Sequence, residues 1–430
     1  GAAIVIVNGA IVGDDGNANA DSDLDILVTV STGNDDSSLS IYGDTDASTG
    51  VVLTGGSGTG TTTLTIGDGT NAADFAGTLD MGSAAASVSV LNVAASSIVS
   101  GAIDLSSSGT NTTTTINLAA GSSITGAITD TASGGTAVIN VNGSATIGSS
   151  TNVLDMGTST GSIAIDDTMT LTLAGTGTVT TGTITLTGTT AALTVSGAKT
   201  ITGNIVGAAD ADGIVTFSDN VIVAGQIGTS TTVGVGSVRV ASGKTLTINS
   251  GTAADGIYTA GNLDADAAGT RGGTVTLNAG AATAHSTVGT TQISLIDGTT
   301  KLTAVNVTGG VGGLSTDAGT VGAVGGASSA TFTGASDITT LLLTGGVGGA
   351  GLADDTTTTL GGAGGASTAT FTAGLTSTTT SVIGGKGGAG GADSGTEALD
   401  NDGGVGGAST LDLNLVAGTA QNIGTLNITG

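Results

Sequence analysis

The chain has 430 residues, with 80 Gly and no Pro, Cys or Trp, and its 33 acidic and six basic residues give a formal net charge of −27. The missing Pro and the absence of a strict Gly-X-Y register exclude collagen. The missing Cys excludes disulfide scaffolds and Cys-based zinc or redox centres. The acidity argues against nucleic acid, whose phosphates need cations to replace their counterions, and against anionic membrane surfaces.

The chain opens on Ala2, Ala3, Ile4, Val5, Ile6 and Val7, an apolar run of strand length. No run approaches the ~18 apolar residues of a membrane-spanning helix, so membrane insertion is not expected. Two Tyr and four Phe are too few for the aromatic girdles of a membrane barrel. A start at Gly1 without Met fits either a mature form whose targeting segment has been removed or an arbitrary starting point. Next come Asp15, Asn17, Asn19, Asp21, Asp23 and Asp25 at every second position, with Asp14 adjacent. Alternation puts these oxygens on one side of an extended loop, and oxygen-rich sites of this kind collect Ca²⁺. The segment matches the first half of a calcium loop but lacks its later ligands, since Ile26 stands at the twelfth position. Ca²⁺ is therefore the one expected cofactor, against the alternative that acidic turns only keep the chain soluble. Residues 1–40 form this first segment.

Residues 41–300 read as a β-solenoid. Thr alternates with branched aliphatic residues in Thr61-Thr62-Thr63-Leu64-Thr65-Ile66, Met169-Thr170-Leu171-Thr172-Leu173, Thr183-Ile184-Thr185-Leu186-Thr187 and Thr274-Val275-Thr276-Leu277. Period two gives each strand one buried and one wet side. A unit of apolar-Asn-apolar, a turn, then Ile, Gly and Ile recurs. It reads Leu91-Asn92-Val93 with Ile98, Gly101 and Ile103, then Ile116-Asn117-Leu118 with Ile124, Gly126 and Ile128. It fades at Ile139-Asn140-Val141 with Ile147, and returns at Leu193-Thr194-Val195 with Ile201, Gly203 and Ile205. Spacings of roughly 22–25 residues suit one turn of a parallel β-helix per unit. The Thr blocks do not keep constant spacing (Thr170 to Thr183, Thr245 to Thr274), which argues against an unbroken Thr ladder of the ice-binding type.

Residues 301–430 hold 33 of the 80 Gly. Gly325-Gly326-Ala327-Ser328 precedes Thr331-Phe332-Thr333, Gly364-Gly365-Ala366-Ser367 precedes Thr370-Phe371-Thr372, and Gly406-Gly407-Ala408-Ser409 precedes Leu411-Asp412-Leu413. Outgoing runs sit at Gly309–Gly313, Gly345–Gly349 and Gly384–Gly388. Gly tracts are commonly flexible linkers. Recurrence in register between strands favours stacked threefold Gly helices of polyproline-II geometry, where only Gly lets backbones touch. The expected fold is all-β: a parallel β-helix with Gly-rich, polyglycine-II-like insertions in its C-terminal third.

Catalytic chemistry is scarce. His285 is the one His, in a turn of small residues, and it has no Cys or aromatic cluster to work with, so no catalytic residue is assigned and an enzyme is not expected. Asp44/Asp46, Asp210/Asp212 and Asp264/Asp266 are candidate partial cation sites. Asn111, Asn142, Asn306 and Asn427 lie in N-x-S/T sequons.

Runs such as Thr183-Ile184-Thr185-Leu186-Thr187-Gly188 make residues 60–300 resemble the passenger repeats of bacterial autotransporter and filamentous-haemagglutinin-like surface proteins. The Gly-run hairpins resemble the polyglycine-II tips of some phage adhesins. The first resemblance implies a secreted, surface-displayed β-helix that serves adhesion or a coat, with glycans or other cell surfaces as partners. An aromatic-rich translocator barrel of the autotransporter kind is not in the sequence.

A solenoid leaves its outermost coils with unpaired backbone. The chain ends on Leu426, Asn427, Ile428 and Thr429, and with Ala2–Val7 these segments are candidate polymerisation strands, donated to a neighbour by strand addition. A head-to-tail contact that does not close makes a filament. The expected function is a homopolymeric subunit of an extracellular filament or surface layer, joined head to tail by strand addition or coil stacking, and the alternative is a monomeric adhesin.

Overall fold

The computed structural model describes residues 3–7, 25–29, 36–45, 50–54, 60–82, 88–105, 113–130, 135–148, 153–157, 161–229, 233–250, 256–259, 262–264, 271–279, 291–294, 298–315, 320–351, 360–391, 402–414 and 420–430. Among them there are strands, turns and no helix. Strands pair in parallel, each with the strand one coil away, which is the topology of a parallel β-helix. The chain divides into two compact units, Gly1–Asn204 and Ile205–Gly430.

In the first unit each coil crosses three faces. The alternation seen in the sequence becomes an alternation of burial: Thr61–Ile66, Val88–Val93 and Thr113–Leu118 each bury every second residue. Equivalent residues stack into inward columns. One runs Leu39, Leu64, Leu91, Ile116, Ile139, Ile163, Ile184 on the first face. A second runs Phe75, Val99, Ile124, Ile147, Leu173, Val195. A third runs Val51, Leu79, Ile103, Ile128, Leu154, Val179. These side chains are at most 4% exposed, and each contributes about 1.5–3 kcal/mol by leaving water. Narrow columns of branched residues explain why so few aromatics occur.

The recurrent Ile-Gly-Ile motif marks the corner between the second and third faces. A Cβ on Gly101 would sit 1.6 Å from Gly77 O, and one on Gly126 would sit 1.7 Å from Gly101 O. Successive backbones touch there, so only Gly fits. The recurrence matches Ile98 to Ile124, but Ile124 pairs with Val99, one residue on, and Ile98 pairs with Ser123 and points outward, 37% exposed. The Asn of each unit forms an outward ladder. Asn140 Nδ2 donates to Asn117 Oδ1 at 2.9 Å, and Asn117 Nδ2 donates to Asn92 Oδ1 at 2.8 Å.

The second unit is built from longer coils with stacked columns of its own. Leu246, Val275, Val305, Leu341, Thr380 and Leu426 stack, as do Val223, Ile248, Leu277, Val307, Leu343, Val382 and Ile428. The step from Asn249 to Asn278 is 29 residues, and the step from Ser381 to Asn427 is 46. On another face Ile257, Ile293, Ala330, Ala369 and Leu411 stack, and Phe332 lies on Phe371 with ring centroids 4.7 Å apart. Thr245 lies directly beside Thr274, and Thr247 beside Thr276, so their spacing is one coil rather than a break in a ladder. The next rung places Ala304 and Asn306 there, which ends the Thr pairs. Thr170 and Thr183 belong to different faces, beside Ala192 and Ser162.

The added length is Gly-rich. Burial in these runs repeats every three residues: Val311, Leu314, Val347, Val321, Val324 and Leu360 are exposed, and the Gly pairs between them are buried or nearly so. Hydrogen bonds also repeat every three residues. Outgoing arms bond to the next coil through Gly309 N to Thr344 O, Gly312 N to Val347 O, Gly345 N to Ile383 O and Gly348 N to Lys386 O. Return arms do the same through Gly322 N to Leu360 O, Gly325 N to Ala363 O, Gly361 N to Asp402 O and Gly364 N to Val405 O. Between these, outgoing and return arms are stitched in a zigzag: Gly326 N to Gly310 O, Gly346 N to Gly326 O, Gly365 N to Gly346 O, Gly385 N to Gly365 O and Gly407 N to Gly385 O, at 2.7–2.8 Å. A Cβ on Gly385 would meet Gly346 O at 1.9 Å.

Candidate assembly edge

The strand Asn422–Thr429 pairs along one edge with Leu375–Ile383. Among the described residues no strand pairs with its other edge. It continues two core columns, yet Leu426 and Ile428 are each 48% exposed, whereas Thr380 and Val382 one rung below are 0% exposed. Leu411 and Leu413 extend the columns of Ala369 and Phe371 and are half-buried. The rung is held from below. Gly384 N donates to Thr429 O at 2.7 Å, Asn427 Nδ2 to Ser381 Oγ at 3.2 Å, and Leu375 N to Gln421 Oε1 at 2.9 Å. What it presents, among the described residues, is a parallel strand edge flanked by half-exposed aliphatic side chains.

In the first segment Ala3, Ile4, Val5, Ile6 and Val7 pair in register with Ser37, Ser38, Leu39, Ser40 and Ile41. Ala2 lies outside the described residues, as do Asp14, Asp15, Asn17, Asn19, Asp21, Asp23, Asp46, Asn111, Asp266 and His285. Asp25 begins the strand Asp25–Thr29, where it pairs with Gly50.

Among the described members of the other acidic pairs, Asp44, Asp210 and Asp212 accept backbone hydrogen bonds, while the buried Oδ1 of Asp264 has none. Asp44 Oδ1 accepts from Asp74 N at 2.9 Å, Asp210 Oδ1 from Gly234 N at 3.0 Å, and Asp212 Oδ2 from Ala209 N at 2.8 Å. Burial pushes the Asp264 carboxyl up, and Arg239 beside it acts in the opposite sense. Asn142 is exposed and Asn306 is half-buried, with Asn306 Nδ2 donating to Thr276 Oγ1 at 3.4 Å.

Basic residues clamp neighbouring coils together. Lys244 Nζ meets Asp219 Oδ1 at 2.5 Å. Arg271 reaches across two further coils, donating to Leu302 O at 2.9 Å, Asp337 O at 2.8 Å and Asp337 Oδ1 at 2.6 Å. Lys199 is the exception. It is 7% exposed, and its Nζ donates to the carbonyls of Leu173 at 2.8 Å and Ala174 at 2.9 Å. It lines a small cavity with Gly126, Ile147, Val153 and Leu154. Burial pushes its amine down to about 8. In the sequence Lys199 is only one of six basic residues, since nothing local says that a coil covers it.

No family model, no curated protein and no solved structure matches the chain.

Proposed function

We propose that the chain is a secreted structural subunit of an extracellular filament or surface layer, polymerising with copies of itself by laying rung on rung. The observation that carries this reading is the edge at Asn422–Thr429, where Leu426 and Ile428 continue buried columns and are half exposed. Whatever covers them must bring an extended parallel strand with inward aliphatic side chains, and in this reading a second copy brings it. Pairing of Ala3–Val7 with Ser37–Ile41 supports stacking of coils over donation of a free arm as the mode of contact. The threefold burial and zigzag bonding of the Gly runs support a polyglycine-II-like bundle. The resemblance to autotransporter and haemagglutinin passenger repeats fits a cell-surface setting, and Ca²⁺ at Asp15, Asn17, Asn19, Asp21, Asp23 and Asp25 would order the first segment. The reading needs no catalytic role.

Negative-stain microscopy of the purified chain tests it. Polymers that grow with concentration are expected, and Leu426→Asp with Ile428→Asp abolishes them while the melting temperature stays within a few degrees. Isolated molecules at every concentration overturn the filament and leave the monomeric adhesin.

A further inference from the structure

The Gly arms form two hydrogen-bonded layers, outgoing arms on one side and return arms on the other. Each layer turns its third-position side chains outward. On the outgoing face these are Val311, Val347 and Lys386 in one column, with Leu314 beside them; on the return face they are Val321, Leu360 and Asp402 in one column, with Val324 and Val405 beside them. Val311 is 45% exposed, Leu314 63% and Val405 73%. In a chain of net charge −27 copies repel each other over most of their surface. Among the described residues, these two faces are apolar apart from one cation on the first and one carboxylate on the second, in the same rung.

We propose that the outgoing face of one copy docks on the return face of another, with Lys386 meeting Asp402, and that this contact bundles filaments sideways. Like-on-like docking would set Lys386 against Lys386 or Asp402 against Asp402. Front-to-back docking pairs opposite charges and is heterologous, so it extends without closing. Both faces carry the same knob spacing, about 9 Å along an arm from three residues at ~3.1 Å each and ~4.8 Å between rungs. With two knobs per arm on three rungs, one face covers about 270 Å² by those spacings, below the ~800 Å² per partner of a stable pair. A single copy therefore does not dimerise through it, whereas an array of copies does, through many weak contacts made together. The bundling role rests on the filament reading of the previous subsection; the docking itself does not.

The test separates the two. The full chain is biotinylated at its N-terminus, displayed on streptavidin-coated beads, and bead clustering is followed by light scattering. Wild-type beads cluster. Lys386→Glu beads alone stay dispersed, Asp402→Lys beads alone stay dispersed, and a mixture of the two clusters, because each supplies the face the other lacks. A K386E/D402K double variant clusters by itself. Both substitutions fall on exposed side chains, so folding is retained and checked by circular dichroism. Wild-type beads that stay dispersed, or single-variant beads that cluster as readily as wild type, overturn the proposal. Filament formation is read independently by microscopy of the undisplayed chain, so its loss leaves the docking result intact.

Discussion

Lys199 offers the most direct measurement of what burial inside the coil costs. Its amine is 7% exposed, bonded to two backbone carbonyls, and pushed from 10.5 down to about 8 by desolvation. A depressed base destabilises the fold wherever the unfolded chain holds the proton more tightly. At about 1.36 kcal/mol per pH unit, the gap from 10.5 to about 8 amounts to about 3 kcal/mol below pH 8. As pH rises from about 8 to 10.5 the native amine is already neutral while the unfolded one is not, so stability climbs across that window. Lys199→Met keeps the unbranched stem and removes the charge. Leu173 O retains a bond from Ser196 N at 2.9 Å, but Ala174 O loses the Lys199 donor, a loss of about 1 kcal/mol. The variant is therefore more stable than wild type by about 2 kcal/mol at pH 7, and the advantage disappears by pH 10.5. Urea unfolding of both proteins from pH 7 to 10.5 measures the difference. A variant less stable at pH 7, or a difference that does not change with pH, refutes the reasoning.

The Gly arms predict a contrast between neighbouring substitutions. Gly385→Ala drives a Cβ to 1.9 Å from Gly346 O and destabilises by about 3 kcal/mol or more, since backbone on both sides cannot yield. Gly406→Ala meets nothing closer than 3.7 Å and changes stability by about 0.5 kcal/mol or less; equal effects would rule out close packing of the arms. Deleting residues 1–8 strips the rung paired with Ser37–Ile41 and shortens or abolishes filaments, so polymers of unchanged length would remove that rung from assembly. Chelation lowers the melting temperature if Asp15, Asn17, Asn19, Asp21, Asp23 and Asp25 hold Ca²⁺; an unchanged melting temperature in chelator identifies that segment as solvating charge alone.

Period-two alternation was readable along the chain because it is local. In a strand, Thr63, Leu64, Thr65 and Ile66 face alternate sides whatever lies above them, and the same alternation reappears as burial. The all-β parallel coil, the Asn ladder spacing and the recurring corner Gly followed from that pattern. Register did not follow, since it is set by the coil above: Ile124 takes Val99 rather than Ile98 because the strand shifts by one residue, and a shift of one turns the side chain outward. The 29-residue step that looked like a broken Thr ladder is one lengthened coil, visible only when Thr245 and Thr274 are seen side by side. The same holds for Lys199, one of six basic residues in the sequence and a desolvated amine against a neighbouring coil in the fold. The residues alone determined which positions want burial and which turns need Gly. The tertiary structure decided which coil meets which, and therefore which aliphatic residues stay bare at Asn422–Thr429, because pairing between coils joins residues from 21 to 46 positions apart and no local pattern carries that choice.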